Sequence, residues 1–314
     1  MASADFFGAN LFGATLNQAT LTGANLSGAD LRTADVSQTD LTGADLFGVR
    51  AASANFNFAS FGGVDAAFAD FENAGFFAAH LTGTDFSFAI LTGADLRFAI
   101  WYQVKLDANT QIDLKQRIIW QIVNSAVTNA VLTNLDLSAA TLTNLNFNHA
   151  NFSGSSLLET DLSGSDLRGA NFALADMSFV DFQGTQLDAT TVIDSKSHLV
   201  WQILNQPATD RDLHGMNLTS ILLFAANLIS ANLTNSICTG SVFEQSNFGN
   251  ANLTRANFNN ADFFGATLTN ANLAQAQFQF ADFTQANLRN AITNGANFIG
   301  ATFSNTIMPD GSIR

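Results

Sequence analysis

A large apolar residue recurs at every fifth position along most of this chain, and that period limits what the backbone can do. Phe6, Leu11, Leu16, Leu21, Leu26 and Leu31 open a series that runs to Leu106. It restarts at Val127 and runs to Leu187, then restarts at Leu213 and runs to Met308, each time shifted in phase by one residue. The three series hold 21, 13 and 20 positions, and Leu or Phe fills 45 of these 54. Ala usually stands two residues before the large one, with Asp or Asn between them. The α-helix repeats every ~3.6 residues and the strand every two, so neither has this period. A chain that turns a corner every five residues does have it. Each side then points one large residue inward at its middle and one small residue inward near the corner. Backbone N–H and C=O groups lie along the long axis and meet the next coil about 4.8 Å away. Proline has no N–H for such a ladder, and the two prolines, Pro207 and Pro309, both stand outside the series.

Units such as ADLFG at Ala44–Gly48 and ANLSG at Ala24–Gly28 resemble the pentapeptide-repeat family, and the resemblance extends over most of the chain. It implies an all-β solenoid: a right-handed quadrilateral β-helix with four repeats per coil. Period five alone does not set four sides, but a twenty-residue spacing has independent support. Gly23, Gly43, Gly63 and Gly83 form one column, and Leu213, Leu233, Leu253 and Leu273 another. Phe243, Phe263, Phe283 and Phe303 form a third, and Phe258, Phe278 and Phe298 a fourth. A fifteen-residue coil would break all four. The spacing also permits side-chain ladders of stacked rings and of Asn, as at Asn232, Asn252 and Asn272.

Two segments interrupt the repeat. Residues 106–124 match residues 187–205 at an offset of 81, with 11 of 19 positions identical. Asp113/Asp194, Lys115/Lys196, Trp120/Trp201 and Asn124/Asn205 are among them. Each reads as a loop and a short helix, with Asp113 and Asp194 as N-caps. Ile118, Ile119, Ile122 and Val123 fall at helical spacing, as do Leu199, Val200, Ile203 and Leu204. A helix this short needs packing to be stable, so it is expected to cover a coil end; a docking helix for a partner is the alternative. The expected organisation is a first β-helix block over 1–106, an insertion over 107–126, and a second block over 127–187. A second insertion over 188–210, a third block over 211–308 and a tail over 309–314 follow. Interrupted members of this kind are familiar among cyanobacterial proteins of the family.

Composition excludes several functions. The 314 residues carry 12 Lys and Arg against 26 Asp and Glu, a net charge of −14. That argues against direct nucleic-acid binding, which needs clustered cations. The single cysteine, Cys238, occupies a core slot, rules out a disulfide framework and fits a reducing compartment. The N-terminus shows no basic patch followed by an apolar run, and no stretch approaches 18 apolar residues. The expectation is a cytoplasmic protein without a membrane span, peripheral to a thylakoid or photosynthetic complex if the cyanobacterial likeness holds. His80, His149, His198 and His214 are scattered without metal-ligand spacing, and 17 of 23 aspartates occupy one outward slot of the repeat. No catalytic residue, metal or cofactor is expected.

Phenylalanine is the informative excess. Of 30, 18 fill central slots; the rest should point outward. Phe7, Phe47, Phe68 and Phe88 fall on one side of a twenty-residue coil, and Phe58, Phe77 and Phe98 on the opposite side. Clustered exposed aromatics suggest a protein partner, although bulky residues wrapping a corner would look the same. Asp5, Asp45, Asp65 and Asp85, with Asn25 between, run beside the first group. The leading reading is a non-catalytic interaction scaffold, such as a linker or assembly factor in a cyanobacterial photosynthetic complex, whose open coil ends invite end-to-end homo-oligomers. The alternative, implied by the family, is an acidic DNA mimic that modulates DNA gyrase. Against it, residues 211–314 carry a net charge of only −1, and Asn, Thr, Ser and Ile break the acidic rows.

Overall fold

The computed structural model describes residues 4–206 and 208–314, so Pro207 lies outside the described residues. The chain winds as a right-handed quadrilateral β-helix in which each side contributes one parallel bridge per coil. Bridged residues stand twenty apart, as in Asp5↔Asn25, Asn25↔Asp45, Asp45↔Asp65 and Asp65↔Asp85. The N–H of each central residue donates to the next coil, as Phe6 to the Asn25 carbonyl at 2.7 Å. The N–H of the residue before it donates to the previous coil, as Asn25 to the Ala4 carbonyl at 2.9 Å.

Each composition preference has a local cause. The small residue closes the corner by donating its N–H to the central residue's carbonyl three positions back, as Ala9 to Phe6 at 2.9 Å. This is a type II turn, so the residue before the small one takes a positive φ. Gly28, at φ 66°, does so without strain, yet 34 non-glycine residues among those described also carry positive φ. Asp or Asn precedes the central residue because its side-chain oxygen accepts the corner N–H two residues on. Examples are Phe47 to Asp45 at 2.9 Å and Ala67 to Asp65 at 3.0 Å. The expected Asn column serves this end too: Asn232 and Asn252 accept from the N–H groups of Thr234 and Thr254, at 3.2 and 3.1 Å. At several slots where Ser or Thr replaces the small Ala, the hydroxyl donates to a carbonyl of the preceding coil, as Thr84 to Phe61 at 2.8 Å and Ser155 to Leu132 at 2.6 Å.

The core is the file of central side chains. Leu233, Leu253 and Leu273 are fully buried. Phe243–Phe263, Phe263–Phe283 and Phe283–Phe303 stack at 5.4, 5.0 and 5.4 Å. Phe258–Phe278 and Phe278–Phe298 stack at 5.4 and 5.1 Å. The chain forms two compact units: residues to Val127 with Asp136–Leu145, and Thr128–Leu135 with Asn146–Arg314.

Each unit contains one insertion helix, α1 (Leu114–Val123) in the first and α2 (Ser195–Asn205) in the second. Their apolar stripes turn inward, burying Ile119 and Ile122 in α1 and Val200 and Ile203 in α2. The shared Trp and Asn fasten each helix to coil carbonyls. Trp120 Nε1 donates to Val104 at 2.7 Å and Asn124 Nδ2 to Trp101 at 3.2 Å. Trp201 Nε1 donates to Thr185 at 3.1 Å and Asn205 Nδ2 to Phe182 at 2.9 Å. The side chain of Asp194 caps the N–H groups of Lys196 and Ser197 as expected. Asp113 departs from that expectation: it holds the N-cap position, but its carboxylate accepts from Gly93 N–H at 3.1 Å instead.

The one-residue phase shift also has a structural cause. Ile90 bridges Gln111 and Asn171 bridges Val192, pairs separated by twenty-one residues rather than twenty. Asp107 organises the first extra residue, accepting from the N–H groups of Phe88, Asn109 and Thr110 at 3.1, 3.1 and 2.8 Å. Burial pushes its carboxyl up, but these bonds outweigh it and hold the group at about 2. At the far end Ile307 pairs antiparallel with Ile313, folding residues after Met308 back on the last coil. No helix among the described residues is long and apolar enough to cross a membrane.

Candidate functional site

The twelve phenylalanines outside the core slots all fall on corners, one or two positions after a central residue. Such positions point away from the coil axis, so the fold itself explains their exposure. Phe47, Phe68 and Phe88 are 45%, 54% and 45% exposed. Their rings form a ladder: Phe47–Phe68 at 5.2 Å, tilted, and Phe68–Phe88 at 4.6 Å with planes 2° apart. Phe7 shares this corner but does not extend the ladder, because Ser27 and Gly28 occupy it in the coil between Phe7 and Phe47.

The opposite corner carries a second ladder. Phe58–Phe77 and Phe77–Phe98 meet edge to face at 5.5 and 5.4 Å. The Arg97 guanidinium lies 5.4 Å from the Phe77 ring, a cation–π contact. Phe58 is exposed, while Phe77 and Phe98 are half-buried. Gly75 occupies the slot before Phe76 where Asp or Asn is usual, so Phe77 N–H donates to Asn57 Oδ1 of the previous coil at 2.9 Å. A β-carbon on Gly75 would stand 2.7 Å from that oxygen.

Folding alone does not call for these rings. Phe58, Phe68, Phe88 and Phe98 adopt φ of 59° to 62°. The left-handed region costs a residue with a β-carbon about 1–2 kcal/mol, and an aromatic pair returns about 0.5–1.5 kcal/mol. Strain and stacking roughly offset each other, so stability gives no reason to prefer Phe over Gly or Asn at these corners.

The acidic column lies beside the first ladder. Asp45, Asp65 and Asp85 each spend one carboxylate oxygen on a corner N–H, donated by Phe47, Ala67 and Ser87. Lys105 Nζ reaches Asp85 Oδ2 at 3.2 Å. Burial raises the Asp85 carboxyl, but the Ser87 hydrogen bonds and Lys105 bring it below its ordinary value.

The remaining sequence candidates do not assemble. No group of three His, Cys, Asp or Glu among the described residues could hold a metal. Burial pushes the Cys238 thiol up to about 12, leaving it a protonated core residue. A cavity of 370 Å³ lined by Ile100, Tyr102, Val123, Thr143, Asn144 and Leu145, among others, was not foreseen from the sequence.

The model for Pentapeptide repeats matches eight copies, over residues 4–43, 69–100, 123–157, 155–191, 226–270 and 281–310. No curated protein matches. Among solved structures, the pentapeptide repeat protein Rfr23 from the cyanobacterium Cyanothece 51142 is 26% identical, covering 36% of this chain and 90% of its own, at a TM-score of 0.35. HetL, involved in heterocyst differentiation regulation in Nostoc sp. strain PCC 7120, is 23% identical over 99% of this chain and 92% of its own, at 0.19. Full-length QnrB1, a plasmid-mediated fluoroquinolone resistance protein, is 16% identical over 87% and 90%, at 0.24. These scores are low, and the assignment rests on the repeat match together with the twenty-residue coil. The chain belongs to the pentapeptide-repeat family.

Proposed function

We propose that this protein is a non-catalytic interaction scaffold whose Phe47–Phe68–Phe88 ladder, flanked by Asp45, Asp65 and Asp85, captures a protein partner. Family members are generally non-enzymatic structural or interaction proteins. The observation that carries the reading is a stacked, half-exposed ring ladder held on strained corners, where folding stability does not explain it. Its chemistry fits a partner segment with apolar side chains and Lys or Arg beside them, since aromatic anchors supply contact area and complementary charge supplies orientation. The Phe58–Phe77–Phe98 ladder offers a second contact strip of the same kind. The narrower role is a linker or assembly factor in a cyanobacterial photosynthetic complex, and it sets the material for the experiment.

The test is capture from a cyanobacterial lysate with the full chain as bait, followed by mass spectrometry. Replacing Phe68 and Phe88 with Asn, a residue this fold already accepts at positive φ, should abolish capture while leaving the circular dichroism spectrum unchanged. Capture that survives both substitutions sinks the reading. A gyrase supercoiling assay on the same preparation addresses the DNA-mimic alternative; no inhibition is expected, because many outward aspartates are already engaged in capping corners. End-to-end association through coil edges would appear as a mass that rises with concentration in light scattering.

A further inference from the structure

The two insertions repeat at an offset of 81 residues, so the junction around α1 can be read position by position against the junction around α2. In the first unit, a cavity of 370 Å³ lies between residues of the segments 100–102 and 141–145, with Val123 at the end of α1 forming part of its wall. That volume sits at the lower end of small-molecule sites, about 300–1,000 Å³. No acidic or basic side chain lines it. Its walls combine apolar surface from Ile100, Val123 and Leu145 with the ring of Tyr102, which is 55% exposed at the rim, and with hydroxyl and amide groups of Thr143 and Asn144.

In the second unit the counterparts of Tyr102 and Thr143 are Gln183 and Phe224. The Gln183 amide donates to the Phe224 carbonyl at 2.7 Å, and Phe224 is half-buried. The Gln183 side chain therefore spans this junction, and a larger residue stands at the sequence position of Thr143.

We propose that the cavity beside α1 is a binding site for a small uncharged molecule with an apolar body and one hydrogen-bonding group. The apolar body matches the walls that Ile100, Trp101, Val123 and Leu145 supply. The hydrogen-bonding group matches Thr143, Asn144 and the Tyr102 hydroxyl. A charged ligand is disfavoured because the lining holds no counter-charge, and a charge removed from water without a partner is costly. This site is separate from the aromatic corners, and either reading can fail without the other.

Benzyl alcohol and benzoate serve as the probes, titrated into the full chain and followed by methyl NMR. Benzyl alcohol should shift the methyl resonances of Ile100, Val123 and Leu145 and saturate at one molecule per chain. Benzoate should bind at least tenfold more weakly. The pair Tyr102→Gln and Thr143→Phe places a bulky ring on the cavity wall and should weaken benzyl alcohol binding tenfold or more. Thr143→Leu alone fills the same wall with a smaller group and should weaken binding as well. If the double variant does not fold, the single one decides. Unmoved methyls at the solubility limit, equal binding of benzoate, or undiminished affinity in the filled variants would each overturn the proposal.

Discussion

Two phenylalanine ladders in this molecule have nearly the same geometry and opposite environments. Inside the second unit, Phe263 and Phe283 stack at 5.0 Å with planes 2° apart, and both are fully buried. On a corner of the first unit, Phe68 and Phe88 stack at 4.6 Å, also 2° apart, with about half of each side chain in water. The coil step imposes this geometry wherever rings recur every twenty residues. Stacking by itself therefore reports neither burial nor function. The difference lies in what the ring replaces: a central slot needs a large apolar residue, whereas a left-handed corner is better served by Gly or Asn.

The largest expected effect comes from breaking the inner ladder. Phe263→Ala removes a fully buried ring from a stacked column and should cost about 3–5 kcal/mol in chemical denaturation. Phe88→Ala should change stability by no more than about 1 kcal/mol. Similar losses at the two sites would mean the outer ring is structural after all, and the case for a partner surface would weaken with it.

An intermediate effect is expected at the helices, which join outer surface to inner coil. Trp120→Phe and Trp201→Phe each keep an aromatic ring but remove the donor to the Val104 or Thr185 carbonyl. Each should cost about 1–3 kcal/mol, measured as a shift in the denaturation midpoint. If one substitution is silent and the other is not, the two insertions are not equivalent fasteners, despite their shared sequence.

A smaller effect follows from titration, to which the inner column contributes nothing. Asp30 is held at about 2, chiefly by its hydrogen bonds from Arg32, with Arg50 nearby. Its folded value lies below the ordinary 3.8. Its stabilising contribution is therefore complete above that ordinary value and is lost as pH falls through about 2. Asp107 behaves the same way for a different reason, its backbone and side-chain donors outweighing burial. Thermal melts between pH 4 and pH 2 should fall, and Asp30→Asn should flatten that fall. An unchanged slope would remove Asp30 from the acid response.

Much of this was legible in the sequence because the repeat forces few residue types into fixed slots. Columns such as Phe243, Phe263, Phe283 and Phe303 could be read from spacing alone, and the structure stacks them. The exposure of Phe47, Phe68 and Phe88 was also readable, since only one slot in five faces the middle of the core. Three features were not. The left-handed backbone under Phe68 and Phe88 follows from the turn type, which the period does not specify. Asp113 looks like Asp194 in sequence, but a nearby donor, Gly93 N–H, takes its carboxylate. The cavity beside α1 depends on two side chains from separate segments, Tyr102 and Thr143, whose meeting is a tertiary fact.

The smallest expected effect tests that backbone argument directly. Phe68→Gly relieves a left-handed φ of 60° at a corner that Gly fills elsewhere in the coil. The relief amounts to about 1–2 kcal/mol. The same change removes the contacts with Phe47 and Phe88, worth about 0.5–1.5 kcal/mol for a pair. It also adds chain entropy to the unfolded state, worth about 0.4–1 kcal/mol in the opposite sense to the relief. The three nearly cancel, so the midpoint of unfolding should stay within the error of the measurement. Stability unchanged with partner capture lost would separate the two roles of that ring. A loss of 2 kcal/mol or more would show that the outer ladder braces the coil, as the inner one does.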